Sequence, residues 1–290
     1  MISIKQFSRI TITLLILVLF LSNLNEGLAQ EKEVSQEIEK IKILVSILPY
    51  SYLVEQIGQD KVEVIVMVPP RANPHTYEPP PAQLKMISQI QLYVLVGSQI
   101  DFEVTWAEKI KKLNPKMQWC DSSVGVPLIE NNPHIWLSLR NSQGIIQNIT
   151  QALIQIDPDN EDFYRQNADR FRKKLIQLDE QLTIQLSSLE KRKFLTYHPS
   201  WVYLARDYQL EQLAIEQEGK EPQSAALIKI IKEAKRYQLS FILCAPQFNL
   251  KSAQVIAQEI GAQIVYVDPL AWDYLENIQW VADILAGKVL

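Results

Sequence analysis

The stretch VEVIVMVPPRANPHTYEPPPAQLKMISQI, Val62–Ile90, decides the fold. Val62–Val68 is an apolar, β-branched run with little alternation, stopped by Pro69-Pro70. Such a run suits a strand covered on both faces, as in a parallel sheet. A proline-stiffened loop carrying His75 follows, and then a helical pattern over Pro81–Ile90 with proline at its start. The unit is strand, loop, helix. Outward from it, Ile41–Leu48 (IKILVSIL, bounded by Pro49) and Leu92–Gly97 read as further strands, and Ser51–Ile57 and Val104–Leu113 as helices. Strand and helix alternate, so the first half reads as an α/β lobe over residues 41–156.

The second half, residues 191–290, keeps the rhythm without repeating the sequence. Phe194–Tyr197, Leu213–Glu216, Phe241–Ala245 and Ile264–Val267 read as strands. Trp201–Tyr208, Ala225–Tyr237, Ser252–Ile260 and Ile278–Ala286 read as helices. Between the halves, within 157–190, Asn160–Leu189 is one amphipathic segment. Phe171, Leu175, Leu178, Leu182 and Leu189 form its apolar stripe, and charged and amide side chains form the other face. As a helix it is about 45 Å long, enough to run along both lobes and hold them rigidly. The alternative is an ordinary surface helix within one domain.

Hydrophobic residues make up 47 % of the 290 and charged residues 21 %, with a formal net charge of −4. This is a globular composition, and no basic stripe offers a nucleic-acid surface. At the amino terminus, Lys5 and Arg9 precede the apolar run Ile10–Leu21, and Gly27-Leu28-Ala29 places small residues before Gln30. That is the grammar of a cleaved signal peptide over residues 1–29, with an uncleaved anchor as the alternative. The run is short for a membrane span of about 20 residues. No cysteine follows it for lipid attachment. Residues 30–40 (QEKEVSQEIEK) read as a flexible tether. Cys120 and Cys244 read as two buried, inert thiols; the alternative is one disulfide in an exported chain, which as a bridge between lobes needs Cα atoms within about 7 Å.

Only three histidines occur, and each adjoins a proline: His75 in RANPHTYEPPP, His134 in NNPHIWLS and His198 in TYHPSW. His75 and His198 directly follow strands, and open α/β sheets bind ligands outside the carboxyl ends of strands. A lone histidine there is more often a hydrogen-bonded structural residue. Three of three in stiff loops point to a metal instead. Imidazole suits zinc, copper, iron and nickel, and zinc prefers four ligands in a tetrahedron. Asp268 in YVDPL has the same order of strand, ligand and proline. It is the candidate for the fourth position, with water as the alternative ligand and a turn cap as its alternative role.

These segments resemble the periplasmic solute-binding proteins of zinc and manganese ABC transporters, the ZnuA/TroA-like cluster. NPHTYEPPP is similar to that family's Asp-Pro-His-x-Tyr-Glu-Pro segment, and NPHIWLS to its Asp-Pro-His-x-Trp-Leu segment. TYHPSWVYLARDYQL is similar to its third ligand segment. EGKEP at Glu218–Pro222 and VDPL at Val267–Leu270 follow in the family's order. The resemblance covers about residues 41–290. It implies two α/β lobes, each with a mostly parallel four-stranded sheet, joined by one long rigid helix. It implies a metal at the lobe interface, with His75 and His134 from the first lobe and His198 and Asp268 from the second. Three imidazoles and one carboxylate favour Zn²⁺ over Mn²⁺.

The chain also departs from the pattern. Both Asn-Pro-His motifs carry Asn where Asp is usual, which lowers the charge around the ligands. Ser138-Leu139 closes the second motif where the pattern has an acidic or small residue and proline, so the loop is expected to lose a stiffener. Pro115–Asn132 has no histidine-rich insert. Ala245 stands where the pattern has Glu, beside Cys244, which is not expected to ligate, although a soft thiol near the cleft would alter metal preference. The expected function is capture of extracytoplasmic Zn²⁺ and its delivery to a membrane permease, by a monomer in the periplasm without nucleic acid and without catalysis. The alternatives are a manganese- or iron-specific member of the family, a metal-stapled adhesin-like surface protein, and a zinc hydrolase with Glu78 or Glu216 as base.

Overall fold

The computed structural model describes residues 40–130, 132–216, 223–248 and 251–289. The signal peptide, most of the tether and the Glu218–Pro222 segment lie outside the described residues. In chain order the first lobe contains β1 (Ile41–Val45), α1 (Leu48–Gly58), β2 (Val62–Val66), α2 (Pro81–Met86), β3 (Leu92–Leu95), α3 (Asp101–Leu113), β4 (Gln118–Asp121) and α4 (Leu139–Ile156). The long helix α5 spans Glu161–Ser187. Then come β5 (Lys193–Thr196), α6 (Val202–Asp207), β6 (Glu211–Ala214), α7 (Ser224–Arg236), β7 (Phe241–Cys244), α8 (Lys251–Ile260), β8 (Gln263–Tyr266) and α9 (Tyr274–Leu285).

The two sheets share one topology. The orders are β2-β1-β3-β4 and β6-β5-β7-β8, all parallel. In each, the chain leaves the first strand in one direction and later continues in the other. The crevice at that switch opens at the carboxyl ends of β1 and β3, and of β5 and β7. The fold is therefore the expected α/β pair of four-stranded parallel sheets flanked by helices, with one long helix between them.

Local readings differ at several element ends and at one strand. The strand read through Leu48 ends at Val45, and Pro49 lies in the first turn of α1. A proline without an N–H starts a helix as readily as it stops a strand. β4 (QWCD) was not legible: it pairs only with β3 at the sheet edge, so it has no apolar run to announce it.

Helix α5 buries Phe171, Leu175, Leu178 and Leu182 of the expected stripe, and Leu186 takes the place expected for Leu189, which lies beyond the helix end. It packs on α4 and α1 of the first lobe and on α9 of the second. Asn167 Nδ2 donates to Ile57 O at 2.9 Å near one end, and Gln185 Nε2 to Asp283 Oδ1 at 3.0 Å near the other. One apolar cluster runs from Ile43 in β1 through α5 to Ile284 in α9, and a second, around Leu195 and Ile242, fills the far side of the second sheet. Among the described residues, no helix is long and apolar enough to cross a membrane.

Candidate metal centre

His75 is presented by the loop between β2 and α2. Asn73 Oδ1 accepts from the His75 backbone N–H at 2.9 Å, an Asx-type turn that fixes the loop. Gln83 Nε2 donates to Met67 O at 2.7 Å, and Gln83 Oε1 accepts from Tyr77 at 2.8 Å, so both ends of the loop are tied to α2. His134 precedes the single turn Ile135–Leu137. Trp136 anchors that turn to the second lobe: its Nε1 donates to Pro269 O at 2.8 Å, and its carbonyl accepts from Tyr274 at 2.7 Å. Ser138, expected to loosen this loop, does the opposite. Its Oγ caps α4 by accepting from Asn141 N, and it donates to the buried Asp207 carboxylate.

The structure brings His75, His134 and His198 together, with one ring nitrogen of each within 4.8 Å of the others. His134 and His198 are buried, and His75 is about 22 % exposed. Each Nδ1 faces an acceptor. His75 faces Asp101 Oδ2 at 2.5 Å, His134 faces Asn132 Oδ1 at 3.1 Å, and His198 faces Glu216 Oε2 at 2.8 Å. An acceptor at Nδ1 fixes the hydrogen there and leaves the Nε2 lone pair free, the arrangement of carboxylate–histidine–metal triads. His198 Nε2 is buried without a hydrogen-bond partner. Such an atom is costly unless something ligates it.

Asp268 lies outside the histidine group. Its Oδ1 accepts from Gln247 Nε2 at 2.7 Å and from Leu270 N at 2.8 Å, as a turn cap does. Glu216 is buried and pairs with His198, and Glu78 is exposed. Neither is a free base beside the imidazoles. Cys120 and Cys244 are both unbridged and buried, and burial pushes each thiol up to about 12. Cys244 packs in the second apolar cluster and is not among the clustered ligand atoms.

Asp101, the partner of His75, was missed from sequence. It is the first residue of α3, and nothing local marks it. Gln247 and Phe248 were missed too. The Phe248 ring stacks on His198 at 4.7 Å between centroids and roofs the site. The space left among these side chains is about 20 Å³, roughly one water-sized sphere. That is the size an ion or a single water fills. A larger hollow of about 450 Å³ lies beside Arg192, Phe194, Leu239 and Ile284 and holds none of the histidines. Arg192 there is already spent on the carbonyls of Leu186, Tyr208 and Gln209.

Burial, more than the neighbouring His198 and His75, holds His134 well below the usual imidazole range. A neutral imidazole is the form that binds a metal. The donor set of three nitrogens, two backed by carboxylates, fits a borderline divalent ion such as zinc.

A family model described as the zinc-uptake complex component A, periplasmic, matches residues 43–287. The high-affinity zinc uptake system protein ZnuA of Bacillus subtilis (strain 168) is 28% identical over 253 residues, covering 80% of this chain and 79% of its own. A crystal structure of ZnuA superposes with a TM-score of 0.83 at 42% identity, covering 86% of this chain and 99% of that one. A ZnuA deletion mutant with zinc bound superposes with a TM-score of 0.82, also at 42% identity, over 86% of this chain and 97% of its own.

Proposed function

This chain belongs to the periplasmic zinc-uptake complex component A family, and from that premise we propose that His75, His134 and His198 capture Zn²⁺ outside the cytoplasmic membrane for delivery to an ABC-transporter permease. The observation that carries the reading is the shared orientation of three imidazoles, each with Nδ1 on an acceptor. The fourth position falls to Asp268 or to water. With Glu216 engaged by His198, that candidate base does not support hydrolysis, and among the described residues a binding role is favoured over catalysis. The family's description as periplasmic supports a location outside the cytoplasm. Cleavage before Gln30 and a monomeric state complete the reading.

Zinc titration of the purified protein tests it. One Zn²⁺ per chain is expected, and His75→Ala is expected to weaken binding by more than about a hundredfold, beyond the loss of an outer partner. Unchanged affinity in His75→Ala overturns the site. Competition with Mn²⁺, read by elemental analysis of the bound metal, tests the preference. Asp268→Ala separates a carboxylate fourth ligand, which it weakens, from water, which it does not.

A further inference from the structure

Asn132 connects the two lobes at the metal centre, and the orientation of its amide is fixed twice. Its Oδ1 accepts from the His134 backbone N–H at 3.2 Å, so that atom is the oxygen. Its Nδ2 lies 2.8 Å from the carbonyl oxygen of Pro199, so that atom is the donor. The two partners agree on the assignment. The same Oδ1 faces His134 Nδ1 at 3.1 Å. Pro199 directly follows His198. One side chain therefore sets the tautomer of an imidazole in the first lobe and holds the residue beside an imidazole in the second. Tyr203 closes the joint: its hydroxyl donates to Asn132 O at 2.9 Å and accepts from Ile129 N at 2.8 Å.

We propose that Asn132 is a positioning residue that sets the spacing between His134 and His198, and that the joint requires an amide rather than a carboxylate. The inference rests on the reading of these histidines as zinc ligands. An aspartate has nearly the same shape and accepts both hydrogens from His134. It has none to give Pro199 O, so two oxygens would face each other across an unbridged gap and the His198 segment would move away. Asn73, in the twin motif, supplies the contrast. Its Oδ1 accepts from the His75 backbone, and Asp101 holds the imidazole instead. An aspartate at position 73 keeps that acceptor.

Zinc affinity by chelator competition, and the visible spectrum of the Co²⁺ form, are measured for wild type, Asn132→Asp and Asn73→Asp. Asn132→Asp is expected to weaken zinc by at least about tenfold, the scale of an outer partner, and to shift the Co²⁺ bands. Asn73→Asp is expected to do less on both counts. If Asn132→Asp matches wild type in affinity and spectrum, the inference is overturned while the zinc reading stands. A wild type that binds no zinc overturns both. Should Asn132→Asp fail to fold, hydrogen exchange in metal-free Asn132→Ala decides. Faster exchange over His198–Tyr203 than in wild type supports the joint, and equal exchange overturns it.

Discussion

At the residue scale, the three histidines differ in how they are held. His75 and His198 each have a carboxylate at Nδ1, and His134 has a neutral amide and full burial. An imidazole in an unfolded chain titrates near about 6.5. His134 in the folded protein is lowered from that, chiefly by burial, so on acidification the unfolded state takes up the proton first. The stability tied to neutral His134 is therefore present above about pH 6.5 and lost as pH falls below it. Glu103, whose carboxyl burial pushes up to about 7, acts in the opposite sense over the same range, so the His134 contribution is read as a difference: between about pH 7 and 5 the urea midpoint of the metal-free wild type should fall relative to that of His134→Gln. An equal slope in the variant would refute the assignment. Zinc affinity should fall over the same range, because a protonated imidazole cannot ligate.

At the element scale, α3 matters through its first turn. Asp101 opens the helix and orients His75, and Glu103 two residues on anchors the helix to the end of β3. Glu103 accepts from Val96 N at 2.7 Å, from Gly97 N at 3.0 Å and from Ser46 Oγ. Burial pushes its carboxyl up to about 7, against the lowering effect of those hydrogen bonds. Glu103→Ala would leave two backbone N–H groups without an acceptor, at a cost of about 2–4 kcal/mol in urea unfolding. A loss below about 0.5 kcal/mol would mean that the anchor is not used. The long helix is legible from its leucine stripe. The capping of α4 by Ser138 is not, because a serine before a helix looks the same whether or not Asp207 of the other lobe meets it.

At the scale of the whole molecule, the lobes are joined in more ways than by α5. The apolar cluster is continuous from β1 to α9. Trp136, Ser138 and Asn141 of the first lobe reach Pro269, Asp207 and Arg206 of the second. Packed interfaces of this kind move by small shifts rather than by wide hinge closure. Solution scattering of the metal-free and zinc-loaded protein should accordingly give nearly superimposable curves. A contraction of several ångströms in the radius of gyration would refute the rigid coupling.

The sequence by itself determined the α/β alternation, the amphipathic long helix and the three histidines. Each is a local property: an apolar run, a repeat of three and four, a residue beside proline. The edge strand QWCD escaped because it buries little, and an edge leaves no periodic signature. Only the tertiary structure decided who stands behind each imidazole. Asp101 lies 26 residues from His75, Glu216 lies 18 from His198, and Pro199 lies 67 from Asn132. Those pairings depend on which strand ends the parallel crossovers bring to one crevice, and no spacing along the chain encodes that. The two Asn-Pro-His motifs show the limit: they are identical as tripeptides, yet Asn73 holds a backbone within one loop and Asn132 bridges two lobes.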